Sequence, residues 1–279
     1  MAAKHDSVAR TLIVALLVCL VCGVVVATAA VMLRPVQEKN KLLDKQVNIL
    51  QAAGLYTAGM DVQNAFKSID RKFVDLASGE YVDMPSSYDQ RKAAKDPERS
   101  ERLDGKVDIA SIKRQANVAE VYLANDENGE LSKIILPIHG YGLWSTLYGF
   151  LALEPDADTV AGLGFYEHAE TPGLGGEVDN PKWKALWPGK EVFNDEGDVA
   201  IQVIKGTVDS GAADAAYKVD GLAGASLTTN GVNNLVRYWV GENGFGPYLD
   251  KIHASAQVEA PAADTTESAP AEGEEVNNG

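Results

Sequence analysis

Cysteine is nearly missing from this 279-residue chain, and both copies, Cys19 and Cys22, stand inside an apolar run near the start. The remainder can therefore form neither a disulfide nor a cysteine-ligated metal cluster, so any redox work there needs a borrowed group. The C-x-x-C spacing itself suggests redox or metal chemistry, but thiolates and hydrated ions are ill suited to hydrocarbon. The two residues read as small apolar side chains. Basic residues are also scarce: 25 Lys and Arg face 40 Asp and Glu, for a net charge of −15, which excludes a nucleic-acid partner. His139 and His168 have no second histidine or cysteine at ligand spacing, so they read as structural rather than metal-binding or acid–base residues. No nucleophile, base and acid fall into a hydrolase arrangement, and no internal repeat is visible.

What is present is a 46% apolar composition, enough for the core of one good-sized domain. Thr11 to Leu33 (TLIVALLVCLVCGVVVATAAVML) carries no charge over 23 residues, long enough to cross a hydrocarbon layer of about 30 Å. The small residues Ala27-Thr28-Ala29 resemble a cleavage site, but the run exceeds a signal-peptide core, so it reads as a retained single-pass transmembrane helix in contact with membrane lipid. Residues 1–10 form a short leader to it. Lys4 and Arg10 precede the span while Arg34, Lys39, Lys41 and Lys45 follow it, a count that by itself puts the following domain in the cytoplasm. The span holds no ionisable group besides the two thiols, which argues against an ion path through it. At the other end, residues 254–279 are rich in Ala, Pro, Glu and Thr, with six carboxylates from Glu259 to Glu275 and no Lys or Arg, and read as a disordered acidic tail.

Between them, residues 34–253 read as one α+β domain. Pro35 to about Ile69 has helical spacing (Leu42, Leu43, Val47, Leu50) interrupted at Gly54. Ser86 to Arg102 is charged and reads as a loop or short helix. Val118 to Leu123, Leu131 to Ile138, Ser145 to Leu153 and Thr159 to Glu167 read as strands, the first two joined by a hairpin at Asn125-Asp126-Glu127-Asn128-Gly129. Ala200 to Val208 reads as a further strand, and Val232, Leu235, Val236, Trp239 and Val240 mark one face of a helix ending near Gly241. Strands grouped together with helices outside them predict an antiparallel sheet flanked by helices.

Just before that last helix lies DGLAGASLTTNGV, Asp220 to Val232. Gly221 and Gly224 allow close approach of the backbone to a ligand, Ala225 adds little bulk, and a helix N-terminus favours phosphate. The same composition also describes an ordinary turn with Ser or Thr as N-cap. The stretch resembles the flavinylation motif of FMN-binding domains, D-x-x-[ST]-G-A-[TS]. Asp220, Gly224 and Ala225 match it, and Ser226 occupies the position that joins FMN by a phosphoester. Ala223 stands where Ser or Thr is usual, and the acceptor is serine rather than threonine; Thr228 and Thr229 are alternative acceptors.

Three more segments carry a narrower resemblance: GYGLWS (Gly140 to Ser145) running on to Leu153, HAETPGLGG (His168 to Gly176), and GFGPY (Gly244 to Tyr248). Together with the flavin motif and the N-terminal span they are similar, over about Arg10 to Ile252, to the C subunit of bacterial sodium-translocating NADH:quinone oxidoreductases. The G subunit of the related ferredoxin-coupled electron-transport complex shares the flavin motif and an ETPGLG-like run, but GYGLWS and GFGPY look less like it. The resemblance implies an electron-carrying subunit with covalent FMN on Ser226, matured by a flavin transferase that uses FAD and magnesium. It implies a single-pass protein of the bacterial inner membrane whose domain is periplasmic, against the simple charge count, and whose partners are the other subunits of the complex. NADH oxidation, quinone reduction and sodium export would belong to the assembly, not to this chain alone. Asp220 would shape the turn or be read by the transferase, while Gly224, Ala225, Leu227 and Thr228 surround the acceptor. Glu170, Thr171, Leu174 and Gly175 would lie against the flavin, and Trp144 and Ser145 suit either a core or the flavin wall. Lys205 could sit near the ring or simply be an exposed lysine. A flavin-free, membrane-tethered scaffold is the alternative of a different class.

Overall fold

The computed structural model describes residues 8–259. It opens with a single helix, α1 (Val8–Ala52), of 45 residues, about 67 Å long at the standard rise. The uncharged run lies wholly inside it and is exposed throughout, with a mean hydropathy of 3.0 over its most apolar window. One such helix near the N-terminus matches the expected anchor in length and composition. Pro35 does not begin a new helix, as its position after the span suggests; it stands within α1. The ring removes one N–H, but at the end of the apolar run water can solvate the carbonyl this leaves free. The helix does end where Gly54 predicts. Gly54 takes φ +70°, its N–H donates to the Gln51 carbonyl at 3.1 Å and the Leu55 N–H to that of Leu50 at 2.8 Å, a paired closure that needs a residue free to adopt the left-handed conformation.

Five strands form one antiparallel sheet in chain order: β1 (Ile69–Asp75), β2 (Val118–Asn125), β3 (Leu131–Tyr141), β4 (Thr146–Leu153) and β5 (Val160–Glu167). Four of these follow the predicted strands to within a few residues. The β2–β3 hairpin closes as expected, with the Asp126 carboxylate accepting from the N–H groups of Asn128 and Glu130 and Gly129 at φ +85°. β1 is not among the predicted strands, because its run IDRKFVD looks too charged for one. It is an edge strand, and Arg71 is drawn inward by Glu120 on β2, which accepts from it at 2.7 Å, and by the carbonyls of Ser86 and Tyr88.

The sheet is covered on both faces. On one, helix α2 (Ser226–Val240) lays Val232, Leu235, Val236, Trp239 and Val240 on Val121, Ile134, Leu136, Ile138 and Leu151, so all five residues of its predicted apolar face are buried. On the other, the last turn of α1 and the Ala53 that follows it press Ile49, Leu50, Ala52 and Ala53 against Tyr122, Ala124, Ile135, Phe150 and Ala152. Ile49 and Leu50 are each 1% exposed, and burying two such side chains contributes about 3 to 6 kcal/mol, which docks α1 to the domain.

Two further expectations change. Ala200 to Val208 is not a strand of the main sheet: only Gln202–Val203 pairs, in parallel, with Lys218–Val219. Its apolar residues Ile201 and Val203 are instead buried in the α2-side core, and Asn233 on α2 accepts from the Val203 N–H at 3.0 Å. Gly246–Glu259 is a helix, α3, which carries regular structure six residues into the predicted tail; residues 260–279 lie outside the described residues. The charged stretch Ser86 to Arg102 holds a short helix, Gln90–Ala93, and a strand, Ser100–Arg102, paired with Arg114–Ala116.

Candidate functional site

The turn leading into α2 is held from several sides. The Asp220 carboxylate accepts from the Val208 N–H at 2.8 Å, and its carbonyl accepts from the Trp183 indole N–H at 2.8 Å. A side chain at position 221 would begin 2.3 Å from the Ile204 carbonyl oxygen, so glycine is required there. Gly224 turns the chain at φ +73°, and Ala225 is the N-cap. The N-cap is thus not a hydroxyl residue, as an ordinary capped turn would have it. No side chain caps the helix, so the N–H groups of its first turn remain open at the positive end of the dipole.

Helical spacing then sorts the hydroxyls. Ser226 and Leu227 face outward and are exposed, whereas Thr228 is 0% and Thr229 3% exposed. Thr229 Oγ1 accepts from the Leu222 N–H at 3.0 Å, and Thr228 Oγ1 donates to Glu170 Oε2 at 2.7 Å.

Glu170 ties three segments together. While Oε2 holds Thr228 on α2, Oε1 accepts from the backbone N–H groups of Leu143 (3.1 Å), Trp144 (3.0 Å) and Ser145 (3.3 Å) in the GYGLWS turn. Ser145 completes the bracket by accepting at Oγ from the Ala169 N–H at 2.7 Å. Burial pushes the Glu170 carboxyl upward, but the Thr228 hydroxyl and the three N–H donors outweigh it and hold its pKa below the usual carboxylate range. The fit is tight enough to require glycine. A Cβ at 175 would lie 2.5 Å from Thr228 Oγ1 and 2.7 Å from Glu170 Oε2, and one at 231 would lie 2.5 Å from the Tyr141 carbonyl.

Above this buried bracket the surface is apolar. Trp144 is 65% exposed, Leu227 60% and Leu174 45%, and Leu174 reaches over the turn to within 3.3 Å of where a Gly224 side chain would begin. Leu174 and Leu227 thus stand exposed beside the turn that carries Ser226, and Trp144 stands exposed on the turn held by Glu170; large apolar side chains left in the open like this suit a binding surface. Thr171 is exposed at the same loop, and its carbonyl accepts from the N–H groups of Leu174 and Gly176. Lys205 is exposed in the turn that packs beside Gly221.

Of the predicted contacts, Ser226, Leu227, Leu174, Trp144 and Thr171 therefore reach the surface together. Asp220, Glu170, Thr228 and Gly175 form the support beneath it, Glu170 and Thr228 being turned to each other. GFGPY lies at the opposite end of α2, about 21 Å along the axis from Ser226, where Phe245 and Tyr248 are buried and Tyr81 bonds the Tyr248 hydroxyl at 2.8 Å. His139 is stacked on Tyr148 and tilted against Trp239; burial and the Arg91 guanidinium push it down to about 4. His168 pairs with Asp179 at 2.8 Å. Among the described residues no cluster of His, Cys, Asp and Glu could hold a metal ion. The resemblance places Glu170 against the flavin; in the structure its carboxylate bonds Thr228 and the GYGLWS turn, partners 25 to 58 residues away that leave no local signal in the sequence.

Residues 142–241 match the sequence description of the FMN-binding domain. The chain is 56% identical to the C subunit of the Na(+)-translocating NADH-quinone reductase of Pseudomonas aeruginosa over 256 residues, 90% of this chain and 98% of the relative. It is 48% identical to the corresponding protein of Yersinia pestis, over 91% and 96% of the two chains. Among solved structures, that of Shewanella oneidensis NqrC superposes with a TM-score of 0.71 at 37% identity, covering 77% of this chain and 99% of that one. The C subunit from Parabacteroides distasonis gives 0.61 at 26% identity, over 78% and 96%. The chain spans nearly the whole of these relatives, and it belongs to the family of NqrC proteins, the C subunits of the Na(+)-translocating NADH-quinone reductase.

Proposed function

We propose that this chain carries FMN as a phosphoester on the Ser226 hydroxyl and serves as an electron-carrying subunit of a sodium-translocating NADH:quinone oxidoreductase. The single observation that carries the reading is the placement of Ser226. It is the one hydroxyl of the Ser226, Thr228 and Thr229 group that is exposed, and it stands on the open first turn of α2. The residues present fit the group: unpaired N–H groups and the helix dipole face the phosphate position, Gly224 and Ala225 leave room, and Trp144, Leu174 and Leu227 offer an apolar wall for a ring system. Thr228 and Thr229 are disfavoured as acceptors, since both are buried and already hydrogen bonded.

When bound, the flavin supplies the redox chemistry that a domain without cysteine lacks. The protein's part is to hold it. Asp220 and Gly221 fix the turn, Ser226 provides the tether that prevents loss over repeated turnover, and Glu170 keeps the GYGLWS turn in register with α2. A flavin transferase installs the group, and the other subunits donate and accept the electrons; NADH oxidation is not expected of this chain alone. We place the domain on the periplasmic side of the inner membrane, with α1 in lipid; in a multi-subunit membrane complex, partner helices can override the local Lys and Arg count.

The test is mass mapping of peptides from the protein purified from its own membranes. An FMN-sized addition on the fragment containing Ser226, absent from Ser226→Ala, is the expected result. An unmodified fragment from a host with a working transferase would overturn the covalent assignment and favour a flavin-free scaffold.

A further inference from the structure

A cleft of about 1140 Å³ opens on the α1 side of the sheet. In a chain of net charge −15, its lining carries eight Lys and Arg side chains against four carboxylates. Three of those carboxylates are already engaged: Glu120 by Lys45 and Arg71, Glu167 by Arg91, and Asp89 by Lys92. Lys41 on α1, Lys95 on the facing wall and Lys113 at the rim make no salt bridge among the described residues, and all three are exposed. The Arg114 guanidinium beside them bonds Ser100. Ser111 and Lys113 hold φ values of +56° and +67°, because the Asp108 carboxylate grips the N–H groups of Ile112 and Lys113 at 2.8 and 2.7 Å. A backbone in this sparsely populated region fixes Lys113 at the cleft edge at some cost, as ligand clamps do. The cleft has an apolar side as well, from Leu42, Tyr148, Phe150 and Tyr166.

Its position identifies the source of the anion. Along α1 the exposure falls steadily from Leu42, 60%, through Lys45 and Gln46 to Ile49, 1%, so the wedge between helix and sheet is open at the Lys41 end and closed at Ile49. The open end is the one nearer the apolar span: Lys41 follows Leu33 by eight residues, about 12 Å of helix, while a headgroup layer is roughly 5 to 7 Å thick. Lys41, at the open end of the cleft, therefore lies just above the headgroups, within reach of a lysine side chain. We propose that this cleft is a binding site for the headgroup of an anionic phospholipid, with its phosphate among Lys41, Lys95 and Lys113 and its acyl chains remaining beside α1 in the bilayer. The site does not depend on the flavin reading.

The test uses the full chain in neutral detergent, titrated with phosphatidylglycerol or phosphatidylcholine of the same acyl chains and read by native mass spectrometry. One phosphatidylglycerol should bind per chain at a concentration at least about tenfold lower than phosphatidylcholine, on the scale of a kcal/mol per basic residue near a lipid surface. The triple variants Lys41→Glu, Lys95→Glu, Lys113→Glu and Lys41→Gln, Lys95→Gln, Lys113→Gln should both abolish that preference while keeping the helical circular dichroism of the wild type. Equal binding of the two lipids, or a preference that survives both variants, would overturn the proposal. So would complete displacement of phosphatidylglycerol by millimolar inorganic phosphate, which would assign the cleft to a soluble anion instead.

Discussion

Removing the Glu170 carboxylate tests whether one buried side chain holds the candidate site together. In Glu170→Ala the Thr228 hydroxyl, 0% exposed, loses its acceptor, and an orphaned buried polar group costs about 1–3 kcal/mol. The N–H groups of Leu143, Trp144 and Ser145 lose a charged acceptor too, but their turn is at the surface and water can replace most of that, leaving about 1 kcal/mol. With the cavity left behind, the expected loss is roughly 3–5 kcal/mol, a large share of a typical stability of about 5–15 kcal/mol. Glu170→Gln keeps an oxygen for the turn and an NH₂ for Thr228, so its loss should be smaller, about 1–2 kcal/mol. The two variants also differ from wild type in pH response. The folded carboxyl is held below its unfolded value, so its contribution is fully present above the unfolded pKa, near 4.3 for a free Glu, and is lost as pH falls through the folded value. Guanidinium unfolding of the full chain in mild detergent, followed by tryptophan fluorescence between pH 3.5 and 7, measures both effects, with the wild-type advantage over Gln shrinking towards the acid end. A Glu170→Ala midpoint shift worth less than about 0.5 kcal/mol, or a Gln variant as damaged as Ala, would refute the bracket.

Other expectations follow from the same geometry. Gly231→Ala should destabilise by about 1–3 kcal/mol despite better helix propensity, because its methyl would start 2.5 Å from the Tyr141 carbonyl; thermal unfolding reads this directly. Glu120→Ala should cost about 2–4 kcal/mol at pH 7, discounted for the partly exposed Lys45, since it leaves Lys45, Arg71 and the buried Tyr122 hydroxyl without their shared acceptor. Burial raises the Glu120 carboxyl, but Lys45, Tyr122 and Arg71 together depress it, so this penalty too should fade as pH drops below about 4 in the same unfolding assay. Ser226→Ala and Trp144→Ala change exposed residues, so each should leave stability within about 0.5 kcal/mol. Ser226→Ala should remove the protein-bound flavin colour after denaturation, Ser226→Thr should keep it, and Trp144→Ala should keep it with an altered flavin fluorescence.

What the sequence discloses, and what it hides, divides by the range of the forces involved. The strands from Val118 to Glu167 and the apolar face of α2 are legible because burial against a sheet imposes a short period on neighbouring residues. β1 escapes because an edge strand can keep Asp70, Arg71 and Lys72 when one of them meets a carboxylate on the next strand, and that partner lies 49 residues on. Ala200 to Val208 misleads in the opposite way, since burial without a ladder looks the same in composition as burial within one. The same division runs through the site. The motif around Ser226 is a local pattern of small residues and hydroxyls that marks the turn before α2; which hydroxyl faces outward follows only once the first residue of α2 is fixed at Ser226. Glu170 is visible as a polar residue in a turn, but its work is to join Trp144 and Thr228, and a bracket of that kind exists only when the sheet and α2 are already packed. If so, the flavin site should form late in folding, after the β3–β4 hairpin docks on α2, and attachment of the cofactor at Ser226 should require the folded chain rather than its linear motif. A peptide spanning Asp220 to Val232 offered to the transferase with FAD and magnesium should then be flavinylated far more slowly than the intact domain, and equal rates would show that the motif alone is read.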